Sequence, residues 1–171
     1  IETRARSFLI FFAQKQCLKI IHYIKKGCDI MYRAWIELSR SALLHNLASY
    51  KAFLPEGCDV MAVVKADAYG HGAAAVAPEL EAAGIRHFAV ASMEEGVALR
   101  QSGVNAPILI LGYTDPAQTA RLLCYELTQT VTCAEYEEQL AECSRRLGRR
   151  VKVHIAVDTG MHRLGFDPDD L

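Results

Sequence analysis

The chain has 171 residues and a net charge of −1, with 51% hydrophobic and 23% charged residues. That length allows at most one large domain or part of one, and the composition is typical of a folded soluble protein. The near-neutral charge gives no reason to expect binding to nucleic acid or to a charged membrane surface. The cysteines show no C-x-x-C pair and no zinc-like spacing, so we expect free thiols, a reducing cytoplasm and no metal site. They are Cys17, Cys28, Cys58, Cys124, Cys133 and Cys143.

The first thirty residues differ from the rest in charge. They carry six Lys/Arg against two acidic residues, a balance of +4, which leaves −5 for the other 141 residues. Phe8–Phe12 is strongly apolar, but a membrane span needs about twenty such residues. The codons of Lys25-Lys26-Gly27 must be purine-rich and stand just before Met31, as in a bacterial ribosome-binding site. We therefore expect residues 1–30 to be a leader, upstream sequence read in frame; the alternative is a linker from a membrane domain.

Beyond residue 31, short apolar runs alternate with amphipathic stretches, which indicates an α/β fold of repeated β-α units. A first short strand is predicted at 34–38. Five further strands are predicted at 59–66, 87–91, 107–111, 126–131 and 151–158. The predicted helices are 41–54, 73–83, 93–101, 116–124 and 134–147.

Polar and glycine residues mark the ends of these helices. Ser39 or Ser41 can cap the first helix. Ser92 precedes the third, with Glu95 three residues later as in a capping box. Gly84 and Gly148 are expected just past helix C-termini.

The run AVVKADAYGHG at residues 62–72 is the most informative part of the chain. Apolar residues lead to one lysine, Lys65, as in a buried strand with a functional group at its carboxyl end, where β/α barrels hold their active sites. A lysine held there can lose its charge through desolvation and act as a nucleophile. A Schiff base with pyridoxal phosphate (PLP) requires such an amine. Taken alone, a lysine at the end of a strand is more often simply exposed to solvent.

The whole string, however, resembles the PLP-binding signature of alanine racemases nearly letter for letter. That resemblance implies that Lys65 carries the cofactor and that Tyr69 contacts its phosphate. The sequence from Met31, MYRAWIELSRSALLHNL, also resembles the N-terminus of such a racemase. This second likeness supports the interpretation of residues 1–30 as a leader.

A second motif, VHIAVDTGMHRLGF, follows at residues 153–166. Its alternating apolar residues suggest a strand. Arg163, just past that strand, suits an anion or a polarised oxygen, because its planar fork makes paired charge-assisted bonds. A surface salt bridge is the commoner role of a lone arginine.

This string resembles the racemase motif H-x-x-x-D-T-G-M-x-R-x-G, which implies that Arg163 lies beside the cofactor's phenolic oxygen and the substrate carboxylate. The matching residues are His154, Asp158, Thr159, Gly160, Met161, Arg163 and Gly165. One position departs from the family. Many alanine racemases have a lysine, often carbamylated, two residues before the aspartate, and its negative charge positions the arginine. Here that residue is Ala156, so a bound anion, a water or a neighbouring side chain must orient Arg163.

The resemblance covers residues 31–171 and implies the N-terminal part of a PLP-binding barrel. The expected fold is a partial (β/α)8 TIM-type barrel of about five of eight β-α strands, without the family's C-terminal β domain. The implied activity is interconversion of L- and D-alanine by a PLP-dependent isomerase, which supplies D-alanine for peptidoglycan in the bacterial cytoplasm. Lys65 would be the base for the D-enantiomer, and a tyrosine from the partner subunit of a homodimer would serve the L-enantiomer. The chain alone is expected to be inactive.

Two alternatives stay open from the sequence. A serine racemase of the same family is one, because most residues that face the substrate side chain are expected beyond residue 171. A non-catalytic PLP-binding barrel of cofactor homeostasis is the other. Such proteins also have a strand-end lysine, but they lack the A-Y-G-H-G continuation and the D-T-G-M-x-R loop.

Overall fold

The computed structural model describes residues 8–12, 18–21 and 35–170. The strands in these ranges are β1 (Phe8–Phe12), β2 (Leu18–Ile21), β3 (Trp35–Leu38), β4 (Asp59–Val63), β5 (His87–Val90), β6 (Ile108–Ile110), β7 (Leu127–Val131) and β8 (Lys152–Ile155). Six of them form one parallel sheet in the order β1-β4-β5-β6-β7-β8, and β2 pairs antiparallel with β3. From β4 to β8, chain neighbours are also sheet neighbours, as in a β/α barrel. The five predicted β-α strands are confirmed, each slightly shorter than predicted.

Helices connect these strands. They are α1 (Arg40–Ala52), α2 (Lys65–Gly70), α3 (Ala73–Ala82), α4 (Met93–Gln101), α5 (Thr119–Cys124) and α6 (Ala134–Arg146). The helix predicted at 116–124 is divided, because a 3₁₀ turn over Pro116–Gln118 precedes α5. None of the helices in the described ranges has the length and apolar character needed to cross a bilayer.

The predicted helix ends are present. The Ser39 hydroxyl accepts the Ala42 N–H at 3.2 Å, so Ser39 rather than Ser41 caps α1. The Ser92 hydroxyl likewise accepts an N–H of the first turn of α4, at 3.3 Å. Gly84 and Gly148 follow α3 and α6 with φ of +89° and +63°, a left-handed conformation that glycine adopts without steric cost.

Two apolar layers lie on opposite faces of the sheet. Alternate strand residues point to opposite faces, and Val60 and Ala62 pack with residues of the helices in the larger cluster. Met61 and Val63 belong to a second, smaller cluster on the other face. Its remaining members are Ala89 and Leu109, with Leu111 packed against them.

Strand β1 was not expected from the sequence. It pairs in parallel with β4, in a register that joins Phe8 to Asp59 and Phe12 to Val63. One outer edge of the sheet is therefore covered by backbone from the first thirty residues. Most of residues 1–30 lies outside the described residues, as do Cys17 and Cys28. Cys124, Cys133 and Cys143 carry free thiols, as expected.

We still expect residues 1–30 to be dispensable. A chain that begins at Met31 should keep the fold of residues 35–170, because the described core extends from Leu43 to Leu140. The backbone groups at the edge of β4 would exchange their bonds to β1 for bonds to water. If β1 is dispensable, the free energy of unfolding should fall by no more than the net value of about one hydrogen bond, roughly 1 kcal/mol, and not by the sum over the five-residue ladder. Urea unfolding of the two chains measures the difference. A loss of several kcal/mol on deletion would show that β1 is part of the folded domain.

Candidate active site

Lys65 lies directly after the buried strand β4. The four residues Val60 to Val63 are buried, Val64 is also buried, and Lys65 is half-buried. The Val64 N–H donates to the Ala89 carbonyl at 2.9 Å, which fixes the end of β4 against β5. The lysine is thus presented at the carboxyl edge of a parallel sheet, on a support with little freedom to move. That is the placement predicted from the sequence.

The chain leaves Lys65 through a left-handed helical turn. The φ values of Ala66, Asp67, Ala68 and Tyr69 lie between 50° and 56°, with ψ between 38° and 51°. Left-handed helix costs roughly 1–2 kcal/mol for each L-residue, so four successive residues store about 4–8 kcal/mol. None of the four is glycine, and nothing in their propensities predicts the turn. Strain of this kind persists only where surrounding contacts impose it, and it concentrates at functional sites.

Hydrogen bonds on its carboxyl side hold this turn. The Asp67 side chain accepts the Ala73 N–H at 2.7 Å, and its carbonyl accepts the Gly72 N–H at 2.9 Å. The buried His71 ring bonds the Ala68 carbonyl through Nδ1 at 2.7 Å. Because a carbonyl can only accept, Nδ1 carries the proton. The G-H-G part of the motif thus closes the turn that follows the lysine.

Tyr69 is the last residue of the left-handed turn and is partly exposed. Burial of part of its ring raises the pKa of the Tyr69 hydroxyl. The phenol therefore stays protonated at neutral pH and can donate a hydrogen bond to an anion such as a phosphate oxygen.

The second motif forms a closed loop after β8. The Asp158 carboxylate accepts the N–H groups of His162 at 3.0 Å and Gly160 at 2.9 Å. These backbone bonds, that of His162 first, lower the pKa of the Asp158 carboxyl. The ends of the loop meet at Phe166, whose N–H donates to the Ala156 carbonyl and whose carbonyl accepts the Asp158 N–H, both at 2.8 Å. The bonds to the Asp158 carboxylate and the two backbone bonds of Phe166 together define the path of the segment that carries Arg163.

Two glycines of this loop give a matched pair for a test. Gly160 and Gly165 have nearly equal φ, +120° and +121°, so alanine is strained at both. A Cβ on Gly160 would meet nothing within 4 Å, whereas one on Gly165 would lie 2.8 Å from the Asp158 nitrogen. We expect Gly165→Ala to speed hydrogen exchange of the Phe166 N–H by about tenfold or more beyond the effect of Gly160→Ala, since such overpacking costs about 1–3 kcal/mol. Equal exchange in the two variants would contradict this close backbone approach.

Arg163 is exposed on the loop. Within residues 36–169, its guanidinium makes no hydrogen bond or ion pair. Ala156 offers a methyl group and uses its backbone N–H on the Val131 carbonyl. Of the three means of orienting Arg163 expected from the sequence, a neighbouring side chain is thus not observed in the described part of the chain.

The predicted site residues share one edge of the sheet but are not all in contact. Lys65 and Tyr69 are joined by the left-handed turn after β4. Arg163 follows β8, with β5, β6 and β7 in between. The carboxyl ends of parallel strands lie at the same edge, so all three side chains belong to one rim.

The chemistry of these groups fits PLP. An amine at Lys65 suits the cofactor's aldehyde, a protonated phenol at Tyr69 suits its phosphate, and a guanidinium at Arg163 suits a phenolate oxygen or a carboxylate. Lys65 carries the nucleophile that an aldehyde requires, and Tyr69 and Arg163 carry the donors that oxygen anions require.

The chain is similar in sequence to known racemases. Residues 38–171 match the family described as "Alanine racemase, N-terminal domain". The serine/alanine racemase of Enterococcus gallinarum is 49% identical over 138 residues, which are 80% of this chain and 19% of that protein. Alanine racemase 1 of Caldanaerobacter subterraneus is 43% identical over 136 residues, 80% of this chain and 35% of that protein.

A solved structure gives the same result for the fold. The alanine racemase of Clostridium difficile 630 superimposes on this chain with a TM-score of 0.71 and is 41% identical to it in sequence. The matched region covers 75% of this chain and 34% of the Clostridium difficile chain. The chain thus spans about a third of the alanine racemases it matches and about a fifth of the serine/alanine racemase. Since the family match covers most of its residues, the chain belongs to the alanine racemase family, of which it contains the N-terminal domain region.

Proposed function

We propose that this chain is the cofactor-binding part of a PLP-dependent racemase that acts on alanine. The observation that carries the proposal is the placement of Lys65 at the end of a buried strand, followed at once by the left-handed turn that presents Tyr69. When bound, PLP supplies an electron sink that stabilises negative charge at the substrate Cα.

Each residue then has a definite task. The Lys65 amine holds the cofactor and moves a proton at the substrate Cα on one face. The Tyr69 hydroxyl donates to the phosphate, and Arg163 binds near the phenolic oxygen and the substrate carboxylate. By resemblance to the family, a tyrosine of the partner subunit in a homodimer acts on the opposite face. The product D-alanine would serve peptidoglycan synthesis in the bacterial cytoplasm.

Serine is the second candidate substrate. The relative with 49% identity is named a serine/alanine racemase, whereas the others described above are named alanine racemases. Isotope exchange at Cα, measured separately with L-alanine and L-serine in a longer protein that contains this chain, separates the two. Faster exchange with L-serine would favour the second candidate.

Titration of the purified chain with PLP tests the proposal at its base. We expect a new visible absorption band that disappears on borohydride reduction, because a linkage between a lysine amine and the cofactor aldehyde is then converted to a stable amine. Free PLP with the same concentration of a lysine peptide whose α-amine is acetylated is the control for non-specific reaction. A chain that behaves like the peptide at every PLP concentration would overturn the proposal.

A further inference from the structure

We propose that Glu95 is a positioning residue for Lys65, an inference that rests on the proposed function of that lysine. Glu95 lies in the first turn of α4, one strand away from Lys65 along the sheet. Its carboxylate bonds the backbone on both sides of the gap between the ends of β4 and β5.

The two carboxylate oxygens have separate partners. Oε1 accepts the N–H of Ala66, the residue directly after Lys65, at 2.8 Å. Oε2 accepts the N–H of Ala91, the residue directly after β5, at 2.7 Å. Hydrogen bonds to an ionised carboxylate are about twice as strong as neutral ones. One half-buried side chain thus fixes the backbone beside the proposed nucleophile to the neighbouring strand.

This arrangement differs from the capping box predicted by the sequence. In a capping box the Glu95 carboxylate would reach back to the N–H of the cap residue, Ser92. The Ser92 half is present, because its hydroxyl accepts the Glu95 N–H. The carboxylate instead goes to Ala91 and across to Ala66. The side chain therefore acts between two β-α loops rather than within its own helix.

The bond to Ala66 also lies at the start of the strained turn. Ala66 is the first of the four left-handed residues. Its N–H would have no partner from the turn itself, since the first helical N–H in that turn to find a carbonyl is that of Ala68, on Val64. Glu95 supplies the missing acceptor. We infer that it sets the direction in which the chain leaves Lys65 and hence the orientation of the amine toward the cofactor.

The test compares Glu95→Ala, Glu95→Gln and the control Glu94→Ala in the full 171-residue chain. Glu94 precedes Glu95 on α4 and carries the same charge, and within the described residues its carboxylate forms an ion pair with the exposed Arg121 alone. Hydrogen exchange of the Ala66 and Ala91 N–H groups is the first readout. We expect both to exchange about tenfold faster or more in Glu95→Ala, the size of effect expected for loss of a hydrogen bond to a charged group.

Glutamine refines the expectation. Its amide has one acceptor oxygen, so Glu95→Gln should protect one of the two N–H groups and release the other. The Val64 N–H, which bonds Ala89 independently of Glu95, should keep its wild-type exchange in all variants. Acceleration of Val64 together with Ala66 would indicate general destabilisation and would overturn the positioning role.

Labelling of Lys65 is the second readout. With PLP and borohydride, the adduct on Lys65 should form about tenfold more slowly in Glu95→Ala, whereas reductive methylation by formaldehyde should stay within about twofold, because a small aldehyde needs no orientation. If the Ala66 and Ala91 N–H groups exchange faster in Glu95→Ala but PLP labels Lys65 at the wild-type rate, Glu95 does not position Lys65. If the wild-type chain gives no adduct on Lys65 at all, the proposed function fails. If the wild-type chain is labelled on Lys65 but Ala66 exchange is unchanged in Glu95→Ala, the Glu95 proposal alone fails.

Discussion

Replacing Lys65 by alanine should abolish covalent attachment of PLP to this chain. The lysine is the single amine that the sheet presents directly after β4, and a methyl group cannot react with an aldehyde. In a longer protein that contains the chain, the same change should abolish racemisation, since it removes both the anchor of the cofactor and one of the two bases. General bases alone account for about 10²–10⁴ in rate.

The control for this prediction is Lys152→Ala. Lys152 opens β8, is exposed and lies in the same sheet. It should react no more than any surface lysine, so its loss should leave the yield of adduct unchanged. A Lys65→Ala chain that retains the borohydride-stable adduct at wild-type yield would show that another lysine holds the cofactor.

The 171-residue chain on its own should not interconvert L- and D-alanine. The family match covers the N-terminal domain, while the resemblance assigns the second base to the C-terminal domain of a partner subunit. With one base, a proton can be removed from and returned to one face only, which leaves the configuration at Cα unchanged. Turnover by the purified chain comparable to that of an intact racemase would contradict the prediction.

The open edge of the sheet is a second reason to expect no activity from the chain on its own. The side chains of all four β8 residues are exposed, and Ile155 is 57% exposed although it is apolar. An open edge with apolar side chains favours association with other strands. We expect the isolated chain to give a low yield of monomer in size-exclusion chromatography. The other edge, at β4, is covered by β1.

Much of the fold was predictable because local signals and the tertiary structure agree. Apolar runs bounded by serine and glycine predicted the strands β4 to β8 and the ends of α1, α3, α4 and α6. The positions of Lys65 and Arg163 after their strands followed from the same runs. These features depend on side-chain periodicity and on single cap residues, both of which can be found in one sequence.

The left-handed turn and the role of Glu95 could not be predicted in this way. Ala66 to Tyr69 contain two alanines, good formers of right-handed helix, and no glycine. Their conformation is held by the hydrogen bonds of Glu95, of His71 and of Asp67 within the turn. The capping-box pattern in the sequence likewise singles out Glu95 but does not predict which N–H groups its carboxylate binds. Strand β1 was missed because its pairing with β4 depends on a distant segment and not on its own periodicity.

The central claim is that Lys65 is the residue that carries the cofactor, and peptide mapping tests it most directly. The wild-type chain would be incubated with PLP, reduced with borohydride, digested and analysed by mass spectrometry. We predict that Lys65 carries most of the pyridoxyl label, with only minor labelling of Lys51 and Lys152. A pyridoxyl group found mainly on another lysine, with Lys65 unmodified, would contradict the account.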